Sequence, residues 1–333
     1  MKIILFILLL TFIKLASAQI PKTYICKKTD NKIKIDGKID DDAWNDAEWT
    51  DYFIDIEGDK KPVPLYDTRV KMLWDDSCLY IAAKMEEPHI WATVKKRDEI
   101  IYVDNDFEVF IDPDWDQKFY AELEINAFGT EWDLLLNKPY SQSGIPLFNF
   151  NIDGLKTAVH INGTINDPSD NDAGWTCEIC IPFNGLKYIS DQPPTDKSVW
   201  RINFSRVQWH TEVTDGKYKK KKDQKNKNLP EENWVWTPQH KINMHIPDQW
   251  GYLIFSDTTV NNPESIIDNQ KATLENKNDK KHWIWMHHHE KSDKEWENVF
   301  SKLKSHGFHG ILYGGHADAL NKIIPIALAY GLE

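Results

Sequence analysis

Two short segments of this chain set acids, an amide and aromatic rings where they could grip hydroxyl groups. In 106–111, Asp106 and Glu108 alternate with Phe107, Val109 and Ile111. In 120–126, Tyr120, Glu122, Glu124 and Asn126 alternate with Ala121, Leu123 and Ile125. Strand side chains point to opposite faces in turn, so pairing the two segments gathers the polar set on one surface. Tyr102 stands at the loop end of that surface. Carboxylates accept hydrogen bonds from hydroxyls, amides donate and accept, and aromatic faces stack on C–H-rich rings. Such a set composes a carbohydrate site. The plainer reading of the same alternation is a solvated sheet face.

A second candidate is Asp112-Pro-Asp114-Trp-Asp116, three carboxylates at alternate positions that suit calcium. It departs from an EF-hand loop, since Gln117 stands at the sixth position and Leu123 at the twelfth. The acidic turn over 167–172 offers the same chemistry or is simply a turn. His287, His288, His289 and Glu290 look like a zinc tract, yet consecutive strand residues diverge and cannot share one ion without an irregular backbone. Cys177 and Cys180 sit three apart in a strand-like run, facing opposite sides. That disfavours a bridge between them or a redox motif, and buried thiols are expected for these two and for Cys26 and Cys78. No G-x-S-x-G, P-loop, G-x-G-x-x-G or H-E-x-x-H occurs, so no catalytic residue is assigned.

The elements that must position these residues read as strands. Alternating or apolar runs cover 67–74, 79–85, 106–111, 120–126, 132–136, 175–181, 200–209 and 250–255, with Gly, Pro, Asn and Asp between them. Many short strands with such punctuation predict an antiparallel β-sandwich, jelly-roll-like, over 19–257 rather than βαβ units. The lysine-dense stretch 217–228 lacks apolar periodicity and reads as a solvated loop rather than a polyanion patch.

Residues 258–281 are polar and read as a linker. Beyond them the period changes. Short apolar strands at 283–286 and 310–313 alternate with helices marked by Trp296, Val299, Phe300 and Leu303 and by 320–330. Gly307 and Gly331 are the expected helix ends. This βαβα order in 282–333 is that of an opening barrel of which only the first units are present. In that reading His287–Glu290, Gly314–His316 and Asp318 lie at the functional end. A small α/β appendage docked on the sandwich is the alternative.

The whole chain is acidic, with 40 basic against 52 acidic side chains, which argues against a nucleic-acid partner. Fifteen tryptophans among 333 residues point to a core, or a ligand surface, built from large rings. The N-terminus combines Lys2, an apolar run over 3–13 and Ala16-Ser17-Ala18, which predicts a signal peptide over 1–18 and export to the periplasm, cell surface or medium. No later run is long enough to span a membrane.

These residues also carry a family resemblance. Ile35-Asp36-Gly37 with Asp40-Asp41-Asp42-Ala43-Trp44, then 70–76 with Leu79-Tyr80-Ile81, then 104–112 (DNDFEVFID), 174–182 and Trp250-Gly251 follow the order seen in family 9 carbohydrate-binding modules. The resemblance covers roughly residues 24–255. The blocks Glu86-Glu87-Pro88-His89-Ile90-Trp91, 132–140 and 233–238 suggest the subgroup found in exported polysaccharide-processing proteins, and the tail from Trp283 resembles the start of a glycoside-hydrolase-like barrel. The resemblance implies a β-sandwich that holds a sugar end between two rings, with structural calcium. It places one ring at Tyr102 and a polar contact at Glu108. Glu124 stands where the family has an arginine, and Met244 where it has the second tryptophan, so Trp234, Trp236, Asn243 or His245 would rebuild that wall. Trp91 and Trp132 are further candidates.

The ligand set expected is therefore Tyr102, Glu108, Glu124, Asn126, Trp236 and Met244, with Asp112, Asp114 and Asp116 for calcium. The expected partner is a poly- or oligosaccharide, and the expected role is to tether a polysaccharide-degrading protein to its glycan. A non-binding scaffold of a glycoside hydrolase and a cell-surface protein-interaction domain are the alternatives.

Overall fold

A computed structural model of the chain describes residues 21–148, 150–190, 192–277, 282–287, 291–305, 308–314 and 317–332. The expected signal peptide, Gly307, His288–Glu290 and Gly315–His316 lie outside the described residues. In chain order the strands are β1 (Thr23–Lys28), β2 (Ile54–Asp55), β3 (Thr68–Trp74), β4 (Cys78–Met85), β5 (Asp106–Asp112), β6 (Tyr120–Asn126), β7 (Glu131–Leu136) and β8 (Pro146–Leu147). They continue as β9 (Lys156–Asn162), β10 (Gly174–Pro182), β11 (Val199–Gln208), β12 (Thr211–Thr214), β13 (Lys217–Lys220), β14 (Glu232–Val235) and β15 (Gly251–Ser256).

All of these except the β12–β13 hairpin join one sheet in the order β8-β7-β6-β5-β11-β15-β1-β3-β4-β10-β9, with β14 on β11 and β2 on β14. Phe107, Val109, Leu123, Ile202 and Phe204 come from one half of that order, and Met72, Ile81, Cys177, Ile179 and Phe255 from the other. They share one buried cluster, so the sheet curls into two facing leaves around a common core. The period-2 pattern is the cause: each strand contributes its apolar alternate to the inside. The sheet is mainly antiparallel but not wholly so. β1 runs parallel to both β15 and β3. Parallel neighbours need long connections, which residues 29–67 and the body of the domain supply.

One close approach fixes the position of a ring singled out by the sequence. A Cβ on Gly251 would lie 2.3 Å from the six-membered ring of Trp236. Glycine lets that indole lie flat against the start of β15, where it is 2% exposed. All four cysteines are free and buried, as expected.

Two regions depart from expectation. The lysine-dense stretch begins as β13, the second strand of the β12–β13 hairpin, rather than as a loop, and Lys220 Nζ sits 3.2 Å from the centroid of the Trp209 ring. Within 258–281 lies a helix, α1 (Pro263–Lys277), whose Ile267 is buried against Val199, Tyr252 and Ile254. Few apolar positions mark it, so its sequence looks like a solvated connection.

The C-terminal elements follow in the expected order: β16 (His282–His287), α2 (Asp293–Ser305), β17 (Phe308–Gly314) and α3 (Ala317–Ala329). β16 and β17 are parallel, and Trp296 and Phe300 on α2 are buried with Ile323 and Leu332. Gly331 adopts a φ of 66° just past α3, and the Leu332 N–H returns to Ala327 O, which closes that helix as glycine permits.

Candidate functional site

β5 and β6 pair antiparallel with Asp106 opposite Asn126, Glu108 opposite Glu124 and Phe110 opposite Glu122. Phe107, Val109, Ile111, Ala121, Leu123 and Ile125 go to the core, as their alternation requires. The polar alternates share the other face, but that face is not solvated. Ile56, Ile101, Met244 and Trp250 cover it and form a second apolar cluster with Phe110, Tyr120, Trp132 and Leu134.

Between these covering segments the face remains open as a cleft of 410 Å³. Glu108, Glu122, Glu124 and Phe110 line it from the sheet, and Val207 and Asn233 from β11 and β14. Tyr102, Trp132 and Tyr140 supply rings, and the segment Ile242, Asn243, Met244 and His245 closes the far side. A larger depression of 780 Å³ lies around Lys22, Trp49 and Thr50, but apart from Trp236 it contains none of the residues the sequence singled out. The acid-floored cleft is therefore the candidate site.

Specific bonds hold its parts. The Tyr102 N–H donates to Glu124 Oε2 at 3.0 Å, and Trp209 Nε1 donates to Tyr102 O at 2.9 Å. The Tyr102 ring is 43% exposed and offset-stacks on Trp132 at a centroid distance of 6.4 Å. Trp132 stacks in turn on Phe148 at 6.2 Å, nearly parallel. Tyr102, Trp132 and Phe148 thus form a continuous ring ledge that ends in the cleft, while the Tyr140 ring packs against His245. His245 accepts or donates with Tyr120 Oη at 3.0 Å and meets the edge of Tyr140 at 4.5 Å.

Four carboxyls share this floor, and burial is the largest influence on each. Glu108 is pushed up to about 7, with Glu231 adding to burial and Ser205 opposing it. Asp106, Glu122 and Glu124 are each held well above the usual carboxylate range by burial and then by neighbouring charge, that of Glu108 for Asp106 and Glu122 and that of Asp106 ahead of Glu108 for Glu124. Burial likewise lowers the His245 imidazole to about 4. Such a floor accepts hydrogen bonds when ionised and donates them when protonated.

Tyr102, Glu108, Glu124 and Met244 therefore meet in one cleft, while two other expected residues do not. Asn126 is fully buried at a turn. Its amide donates to Val94 O at 2.8 Å and Asp104 Oδ2 at 3.0 Å, and its oxygen accepts from Phe128 and Thr130 N–H. With every polar atom used, it braces the loop that carries Tyr102 and has nothing left for a ligand. Trp236 belongs to the main core, because its indole needs the glycine-lined space beside β15. Trp234 is core as well, and Trp91 is buried. Among the further candidates, Trp132, Asn243 and His245 do line the cleft. Tyr140 and Ile242 were missed; nothing in local pattern separates them from ordinary loop residues.

Asp112, Asp114 and Asp116 each bring an oxygen to within 4.8 Å of the others. Asp112 is buried and accepts the Trp115 and Gln117 N–H groups at 3.1 Å, and its neighbours are exposed. An all-oxygen set of this spacing fits a hard cation such as calcium.

Residues 35–258 match the model of the family described as carbohydrate family 9 binding domain-like. Among solved structures, a putative carbohydrate-binding protein from Bacteroides uniformis is 16% identical, with a TM-score of 0.51 over 71% of this chain and 99% of that one. A family 9 carbohydrate-binding module from Caldicellulosiruptor kristjanssonii, in complex with cellotriose, is 15% identical, with a TM-score of 0.46 over 72% of this chain and 96% of that one. No curated protein matches the chain.

Proposed function

The chain belongs to the carbohydrate family 9 binding domain-like family, and from that premise we propose that it binds carbohydrate in the acid-floored cleft. One observation carries this reading: Tyr102, Trp132, Glu108 and Glu124, set apart on one loop and three strands, converge on a single open cleft. The exposed Tyr102 ring, backed by Trp132, offers a stacking face, and the carboxyls beneath offer hydrogen bonds to hydroxyls. A stacked ring is worth roughly 1 kcal/mol beyond its burial, so a single site of this kind gives affinities on the order of micromolar to millimolar. Met244 adds an apolar contact beside Tyr140 and His245, which also line the cleft.

The finer reading is an exported module that tethers a polysaccharide-degrading protein to its glycan. Lys2, the apolar run over 3–13 and Ala16-Ser17-Ala18 support export. Among the described residues no helix is long and apolar enough to cross a membrane. The βα elements after residue 281 support association with a further α/β unit. Calcium at Asp112, Asp114 and Asp116 belongs to the same reading.

The test is affinity electrophoresis of the full chain through gels cast with a panel of soluble polysaccharides. At least one polysaccharide should retard the chain, and Tyr102→Ala and Trp132→Ala should weaken that retardation. Free migration in every gel would leave the domain as a scaffold or a protein-interaction module.

A further inference from the structure

The floor of the cleft contains more acid than hydrogen bonding to a sugar requires. Asp106, Glu108 and Glu124 each offer an oxygen, and these lie within 4.8 Å of one another. All three residues are buried, Asp106 completely. Asp106 Oδ2 has no hydrogen-bond partner, and neither does Glu122 Oε2 beside the group. Asp106 Oδ1 accepts only the Val207 N–H at 3.3 Å, and Glu124 Oε2 the Tyr102 N–H. The two buried arginines of β11 are committed elsewhere: Arg206 pairs with Glu87 at 3.0 Å and bonds Gln208 and Thr68, and Arg201 donates to Trp250 O at 2.7 Å. Among the described residues no lysine or arginine forms an ion pair with any of the four acids. Buried carboxylates that are ionised pair with a cation or hold a metal, and the unpartnered oxygens of Asp106 and Glu122 leave room for one here.

We infer that Asp106, Glu108 and Glu124 form a calcium site at the floor of the cleft, with open coordination positions that face a bound sugar. Oxygens at calcium's 2.3–2.6 Å radius lie no more than about 5 Å apart across the ion, which agrees with the observed spacing. Three carboxylates leave several of calcium's six to eight positions unfilled. Glu108 and Glu124 line the cleft whereas Asp106 lies beneath it, so a single ion reaches all three but an amine carried on a sugar ring does not. The sugar's part in this rests on the reading above: neighbouring ring hydroxyls would complete the ion's shell. Such a site is distinct from the Asp112, Asp114 and Asp116 loop, which lies at the far end of β5.

Terbium luminescence is the direct probe, because Trp132 stands opposite Glu124 in register and would sensitise an ion held there. The full chain carrying Asp114→Asn, which removes the loop site from the signal, is stripped with chelator and titrated with terbium, then with calcium. Sensitised emission that calcium displaces is the expected result. Glu124→Gln and Asp106→Asn, added separately, should each weaken binding by about ten-fold or more. Unchanged emission in a folded Glu124→Gln or Asp106→Asn chain overturns the site. If neither variant folds, Trp132→Phe decides: loss of most sensitisation supports the site, and full emission overturns it. Electrophoretic retardation that survives chelator in a chain binding no terbium overturns the site but leaves the sugar reading standing. Terbium bound at the floor with no retardation by any polysaccharide supports the ion and overturns the sugar's part.

Discussion

Glu108 and Glu124 face each other directly across the β5–β6 pair, two acids in a register position where like charges repel. Both are buried, and no basic side chain among the described residues forms an ion pair with either. Replacing Glu124, whose charged form is disfavoured by burial and by the acids beside it, should therefore stabilise the metal-free chain. Glu124→Gln keeps the shape and is expected to raise stability at neutral pH by about 1 kcal/mol, read as a higher urea midpoint in chelator-treated protein. A lower midpoint would mean that the carboxyls support each other.

The ring ledge makes a graded prediction. Tyr102→Ala removes an exposed ring that stacks on Trp132, and Phe148→Ala removes the other end of the stack. Tyr102 lines the cleft and Phe148 does not. Calorimetric titration with the best oligosaccharide should show about five- to ten-fold weaker binding for Tyr102→Ala, corresponding to roughly 1 kcal/mol. Phe148→Ala should change it by much less.

Trp236 should matter for folding and not for the ligand. Truncating so large a buried ring costs about 3–5 kcal/mol. Trp236→Ala should lower the thermal midpoint sharply while the chain that remains folded keeps its sugar affinity. Gly251→Ala, which pushes a methyl into the same ring, should destabilise by about 1–3 kcal/mol. Lost affinity at unchanged stability in Trp236→Ala would return this residue to the site.

The Glu87–Arg206 pair is a structural anchor. Glu87 Oε2 also accepts from Asn105 and Gln208, and both charged side chains are almost wholly buried. Breaking a buried pair from one side strands the other charge, so Glu87→Ala is expected to cost about 3–5 kcal/mol in denaturant unfolding. A cost near zero would show that Arg206 finds another partner.

His245 gives a pH signature. Its pKa falls from the ordinary 6.5 to about 4 because burial disfavours the imidazolium, with Tyr120 and Tyr140 as its neighbours and Glu122 lining the same cleft. The unfolded chain then binds more protons between about pH 6.5 and 4. The neutral ring's share of stability is fully present above 6.5 and is lost as the pH falls through that window. His245→Gln should flatten the acid side of a plot of thermal midpoint against pH, compared with the wild-type chain. Parallel curves for the two proteins would show that the ring is not held neutral.

What the sequence determined was local in origin. Alternation with period 2 set Phe107, Val109, Ile111, Ala121, Leu123 and Ile125 inward and the acids of β5 and β6 outward, because a strand cannot turn neighbouring side chains the same way. The βα order after residue 281 was legible for the same kind of reason, in the spacing of Trp296, Val299, Phe300 and Leu303. Tertiary structure alone decided what covered the outward face. Met244, His245 and Tyr140 arrive from distant loops, and their arrival turns a face that the alternation left open to solvent or to a sugar into a buried acid floor. Asn126 and Trp236 were lost from the site by the same kind of long-range packing, one to a turn and the other to the space over Gly251. The parallel seating of β1 and the docking of α1 also depend on partners far away in sequence. Periodicity records which way a side chain points; which surface meets it there is fixed only when the whole sheet closes.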